Sequence, residues 1–236
     1  SLVGSEMCIR DRELDIKGLG KAKYILKQGG TLGDLYTTSD LKFNDNGYVE
    51  VDKNGNLLMT DEGEDIYLGS VFPNHNLAWR NDFSYKGINL GVLFTARLGG
   101  VCYSATQANL DLYGVSEASA AARDAGGVLI NGREMVDAQK WYQAIGSQSG
   151  LPQYYLYSAT NVRLQELSLG YTFPRKWFRN KLGLTVSFVG RNLWMIYCKA
   201  PFDPEAVAST GLNYQGIDYF MMPSVRNLGF NVKFQF

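Results

Sequence analysis

The chain has 236 residues, enough for one or two domains and a sizeable core, and its 23 Lys plus Arg are matched by 23 Asp plus Glu. That balance supplies no net field for nucleic acid or another polyanion, so a nucleic-acid partner is not expected. Aromatic residues make up 13%, with 15 Tyr and 26 Gly, a β-rich composition. No apolar run reaches the roughly 18 residues of a transmembrane helix, which leaves a β-barrel as the one way this sequence could span a bilayer.

Residues 1–12 (SLVGSEMCIRDR) have no hydrophobic period and read as a non-native, disordered leader, so the native protein is expected to continue upstream; residues 13–236 read as part of a barrel. Cys8, Cys102 and Cys198 are odd in number and lack metal-ligand spacing, which predicts neither a disulfide framework nor a zinc site. Residues 13–28 supply one weakly patterned strand before Gly29-Gly30. Residues 31–72 read as loop, with hairpin-type turns at Asp45-Asn46-Gly47 and Lys53-Asn54-Gly55-Asn56. Asp52, Asn54 and Asn56 hold the first three alternate positions of a calcium loop, but Leu57 stands where the sharp turn needs Gly, and Gly63 where a bidentate Glu belongs. No metal site is therefore predicted.

A hairpin follows over residues 77–99: Leu77, Trp79, Phe83 and Tyr85, then Ile88, Leu90, Val92 and Phe94, alternate with residues that are polar or small, Leu93 apart, around a turn at Lys86-Gly87. The connection over 100–159 carries two helical patterns, 116–124 capped by Ser116 and 133–145 stopped by Gly146. A second hairpin sets Leu167, Leu169, Tyr171 and Phe173 against Leu184, Val186 and Phe188, and a second long connection runs over 194–223. In the final strand Leu228, Phe230, Val232, Phe234 and Phe236 share one face, and Asn227, Gly229, Asn231, Lys233 and Gln235 the other.

Short turns and long connections thus alternate, as the periplasmic turns and extracellular loops of outer-membrane barrels do. The fold expected is all-β, an antiparallel transmembrane β-barrel segment of five to six strands with long extracellular loops containing short helices. Six strands cannot close a barrel whose smallest form has eight, so two bare edges are expected. The alternative is a soluble, secreted carbohydrate-binding β-sandwich, which would have no reason to segregate its loop lengths.

Gly69-x-x-x-Pro73-Asn74, Phe83-Ser84-Tyr85-Lys86-Gly87, Arg97-Leu98-Gly99-Gly100, the run from Val162 to Pro174, Gly190-Arg191-Asn192-Leu193-Trp194, Asp203-Pro204-Glu205 and Pro223-Ser224-x-Arg226 resemble, in that order, the C-terminal barrel region of the SusC/RagA family of TonB-linked outer-membrane transporters. The resemblance covers about residues 29–236. It implies import of glycan oligosaccharides or peptides across the bacterial outer membrane together with a SusD-like surface lipoprotein, and energy coupling to the TonB complex through a plug and TonB box outside this chain. A siderophore-type receptor is the second reading within that class. The resemblance also places Phe236 at the periplasmic rim, as an assembly signal for the barrel assembly machinery. By the alternation alone it would be an interfacial ring facing outer-membrane lipid.

No catalytic constellation is predicted, since the single histidine, His75, sits in a Pro-Asn-His-Asn loop. Two sets of residues are candidates for a binding role. Trp141, Tyr142, Tyr154, Tyr155 and Tyr157 could stack on sugar faces or pack a loop core of their own. Arg80, Asp82, Arg97, Glu166, Arg191 and Lys233 fall on the lumen-facing side by alternation, where they could line a substrate route, pair with a plug or pair with one another. No cofactor is predicted.

Overall fold

The computed structural model describes residues 14–16, 18–60, 63–179, 181–206, 208 and 214–235. The leader read over 1–12 and the rim role of Phe236 lie outside them. The chain divides into two units. One comprises Pro73–Gly99, Ser158–Ala206 and Met222–Phe236; the other comprises Ser1–Phe72, Gly100–Tyr157 and Val207–Met221.

The first unit is a five-stranded antiparallel meander of β1 (His75–Tyr85), β2 (Ile88–Leu98), β3 (Asn161–Phe173), β4 (Gly183–Cys198) and β5 (Asn227–Gln235), in the spatial order β5-β4-β3-β2-β1. Directly opposed residues share a face, so the register aligns whole rows. Phe83, Leu90, Leu169, Phe188 and Phe230 form one row, and Tyr85, Ile88, Tyr171, Val186 and Val232 the next. Between these rows, on the opposite face, lie Ser84, Asn89, Gly170, Ser187 and Asn231. The apolar face is uncovered, with Phe83 59% and Phe230 81% exposed. That excludes a sandwich, whose second sheet would cover it.

β1 and β2 join through Lys86-Gly87, both at positive φ (47° and 90°), the two-residue type I′ geometry that matches strand twist. β3 and β4 join through a 3₁₀ turn, Arg175–Phe178, closed by Arg179 in the left-handed region. Both turns lie at the end of the sheet where Gly183 opposes Gln235, and the long connections leave from the other end.

Aromatic side chains gather at both ends of the apolar face. At the short-turn end Tyr171 meets Phe173 edge-on at 5.0 Å and Phe173 meets Trp177 at 5.8 Å; at the other, Trp79 stacks on Phe94 at 5.7 Å in the row that continues through Leu164 to Trp194. The nine steps from Phe173 to Leu164 cover roughly 30 Å of strand. Tilted by about 40°, they match the roughly 25 Å apolar band of an outer-membrane barrel between its aromatic girdles.

The second unit has its own core: Tyr24, Leu35, Leu41, Val71, Tyr103, Ala105, Ala108, Ile145, Leu151, Tyr155 and Ile217 are all buried. The strand expected over 13–28 is two, Leu14–Ile16 and Lys23–Leu26, separated by a turn in which the Ala22 amide donates to the Leu19 carbonyl at 3.2 Å. They belong to a small sheet with Asp34–Thr37 and Ile66–Ser70, so among the described residues the barrel sheet has five strands and not six. Three helices follow, α1 (Ala105–Leu112), α2 (Glu117–Asp124) and α3 (Ala138–Gly146). α2 is capped by Ser116 as expected. The helix expected over 133–145 begins only at Ala138, because the Asp137 carboxylate caps the Lys140 amide and Glu134–Val136 instead pairs with Val128–Ile130 across an Asn131-Gly132 turn.

Candidate functional site: the polar face of the sheet

The polar face of the sheet carries a charge cluster held by cross-strand register. Arg80, Leu93, Glu166, Arg191 and Asn227 form one row, which brings Glu166 between two guanidinium groups, 3.7 Å from Arg80 and 3.0 Å from Arg191. Arg80 also grips Asp82 through two hydrogen bonds of 2.8 and 3.1 Å. Arg97 shares the face opposite Asn76 and Asn161, and Lys233 shares it opposite Thr185, nearer the short turns. With both arginines exposed, this ion pairing contributes little to stability. Its effect is to hold Glu166 and both arginines in fixed positions on one surface.

Above that row β3 breaks its alternation. Glu166 opposes Leu93 and Leu164 opposes the next residue, Phe94, which leaves Gln165 as a β-bulge. One extra residue reverses the parity of everything beyond it. Counted in phase with Leu167, Arg163 would lie on the apolar face; the bulge turns it to the polar face, opposite Thr95. There its side chain is 3% exposed, 2.9 Å from Asp203 and 3.3 Å from Glu205, with Asn161 accepting from its Nε at 3.2 Å. Asp203 further accepts from the Glu205 amide at 3.0 Å, the Ser224 amide at 3.3 Å and the Ser224 hydroxyl.

Burial pushes the Asp203 carboxyl up, but the hydrogen bonds from Ser224, Arg163 and the Glu205 amide, with the Arg163 charge, outweigh it and hold the group below the usual carboxylate range. Beside this knot a cleft of ≈ 490 Å³ opens on Gln165, Arg191, Asn192, Ser224 and Asn227.

Alternation alone missed this cluster, because a single inserted residue has no period. A signal existed nonetheless: an Arg and a Gln in phase with Leu167, Leu169 and Tyr171 conflict with an apolar face, and a bulge resolves that conflict.

The aromatic candidates lie in the second unit. Tyr155 is buried, Trp141 and Tyr142 pack against its core, and Tyr157 is half-buried. Burial pushes the Tyr155 hydroxyl up. Tyr154 is 42% exposed and meets Trp141 edge-on at 6.1 Å. Apart from that ring, these residues spend their surface on packing. His75 is exposed at the first position of β1. Among the described residues no group of three or more His, Cys, Asp or Glu is placed to hold a metal ion.

No protein-family model matches the chain. It is 26% identical, over 198 residues, to TonB-dependent receptor P3 of Formosa agariphila, a match covering 79% of this chain and 19% of that protein. Its fold is similar to the RagAB peptide importer in the closed-closed state (TM-score 0.51, 19% identity, 94% of this chain and 28% of that one). The open-open state of the same importer gives a TM-score of 0.51 with 17% identity, covering 94% of this chain and 27% of that one. The chain therefore spans about a fifth of the curated relative and just over a quarter of the solved chains. The meander, its bracketed apolar band and these likenesses bear out the expected antiparallel β-barrel segment and the resemblance to TonB-dependent receptors of the Gram-negative outer membrane.

Proposed function

We propose that the protein is the membrane-embedded part of an importer that takes up bulky nutrients, glycan oligosaccharides or peptides, in concert with a SusD-like surface lipoprotein and with energy from the TonB complex. The observation that carries this reading is the two-sidedness of the meander: an uncovered apolar face of membrane width, bracketed by aromatic rings, backs onto a face carrying the Arg80–Glu166–Arg191 row. In the assembled barrel the first face meets lipid and the second meets the lumen. The route for the nutrient runs along the second face, past the cleft at Gln165, and the chain performs no covalent chemistry.

The test is uptake. Deleting the full-length gene should abolish accumulation of a labelled oligosaccharide or peptide pool, and an affinity-tagged receptor should retain a surface lipoprotein through detergent extraction. Unchanged uptake of both nutrient classes, or loss of a ferric chelate's uptake instead, would overturn the reading.

A further inference from the structure

We propose that the second unit carries a binding cleft for neutral oligosaccharide between its 43–58 loop and its 128–136 hairpin, separate from the polar face of the sheet. The proposal goes beyond the transport reading and does not depend on it.

The first wall is rigid. Residues 43–50 and 51–58 are two turns of one design. Asn44 accepts from the amides of Asn46 and Tyr48, and Asp52 from those of Asn54 and Asn56, with Gly47 and Gly55 at φ 77° and 76°. Three backbone bonds close a ring between them, Lys42 to Leu58 at 2.9 Å, Glu50 to Lys42 at 2.9 Å and Leu58 to Glu50 at 3.1 Å. Leu41 and Leu57 anchor the loop in the core.

The second wall is the Val128–Ile130/Glu134–Val136 hairpin, docked by one side chain: the Asn131 amide accepts from the Val49 N–H at 2.8 Å and donates to the Val49 carbonyl at 3.0 Å. Between the walls lies a cleft of ≈ 410 Å³, inside the 300–1,000 Å³ range of small-molecule sites. Its ordering cost is met before any ligand arrives.

The lining selects the ligand class. Tyr48 presents a half-exposed ring, a flat amphipathic surface suited to the C–H face of a sugar. Arg133 and Glu134 line the cleft exposed, with no side-chain partner among the described residues, and Glu50 is held by Lys42 at 2.8 Å. Arg133 offsets Glu134, and Lys42, outside the lining, neutralises Glu50, so a polyanionic or polycationic ligand gains little, whereas paired hydroxyls find both acceptors and donors. A peptide adding as a strand is disfavoured because Asn131 already occupies the Val49 backbone.

The test is calorimetric titration of the full-length receptor, purified in detergent, with neutral glucose, xylose and mannose hexasaccharides, a hexagalacturonate and a Gly/Ser octapeptide. At least one neutral hexasaccharide should bind. Tyr48→Ala and Glu134→Gln should each weaken it roughly tenfold, Tyr48→Phe should retain it, and Tyr113→Ala, on a 75%-exposed residue that does not line the cleft, should leave it unchanged. Both substituted side chains are solvent-accessible, and matched melting temperatures would show the variants folded. Three outcomes would overturn the proposal: no neutral hexasaccharide binds; binding is indifferent to both Tyr48→Ala and Glu134→Gln, which would move the site elsewhere; or the octapeptide or hexagalacturonate binds with that same sensitivity. The readout is binding alone, so a failure of uptake in the same variants leaves this result standing and bears only on transport.

Discussion

Arg163 and Asp203 meet at 2.9 Å with side chains only 3% and 7% exposed, and Asp203 also holds Ser224. Three separate stretches, β3, the connection after β4 and the approach to β5, are tied at one carboxylate. Removing one partner of a buried ion pair leaves the other charge unpaired, and the Coulomb energy of the intact pair is not the measure of that loss. Arg163→Met should therefore destabilise the folded receptor by about 3–5 kcal/mol in urea titrations. The double variant Arg163→Met/Asp203→Leu should lose less than the two single losses added, since it buries no orphan charge. Strict additivity would show the pair to be independent contacts.

The same carboxylate sets an acid limit. Its folded pKa is lowered, so the stability it contributes is fully present above the unfolded value near 4 and is lost as pH falls through the lower folded value. Melting temperature should hold from pH 7 to about 4 and then drop. Asp203→Asn should begin lower and show a shallower drop over that acid range. An equal drop in both proteins would assign the acid transition to other carboxylates.

Neighbouring residues on β4 test the two faces. Val186 lies between Tyr171 and Val232, and Ser187 between Gly170 and Asn231. Val186→Arg should cost about 2–4 kcal/mol when the receptor folds into vesicles, the penalty for a cation at mid-membrane depth. Ser187→Arg should cost much less. Similar costs would contradict opposite environments for the two faces.

Deleting Gln165 removes the bulge. Restored alternation forces a choice between moving Arg163 to the apolar face and slipping the register with β2 and β4, and either outcome is costly. The deletion should abolish the heat-modifiable folded band in electrophoresis, whereas Gln165→Ala should preserve it. A folded deletion variant would mean that the strand accommodates the missing residue elsewhere.

In the sequence Phe236 keeps the two-residue period of Phe230, Val232 and Phe234, and we propose it as an interfacial ring whose loss costs less than the roughly 1.5–3 kcal/mol of full burial. We expect its deletion in the full-length protein to lower the amount assembled in the outer membrane far more than the melting temperature of what assembles. A parallel fall in both would make it an ordinary packing contact.

The sheet was legible because period-two alternation survives in any strand whose two faces see different surroundings, and Lys86-Gly87 announces its turn. The second unit was not, because its core residues come singly from short pieces: Leu35, Leu41, Leu57 and Val71 are buried from a stretch that reads as polar loop. Helix α1 carries a signal of its own in the sequence. Ser104-Ala105-Thr106-Gln107 is a capping-box pattern, and the Ser104 hydroxyl does accept from the Gln107 amide. Of the site, the exposed charges followed from parity, while Arg163 depended on the one residue that changes parity.

Ile217 carries a consequence for timing. It is fully buried, pairs in parallel with Tyr103 and belongs to the same core as Tyr24 and Val71, while the neighbouring Asp218 accepts from Ser104 across 114 positions of sequence. Closing so long a loop delays the contacts that reward it. During export, Tyr103 and Val71 are expected to keep their apolar surface open to water until Ile217 has crossed the inner membrane. The two hairpins of the meander, each closed by a turn of a few residues, have no such dependence. A chain stalled before Ile217 should thus be a better substrate for periplasmic chaperones and proteases than one stalled a dozen residues later.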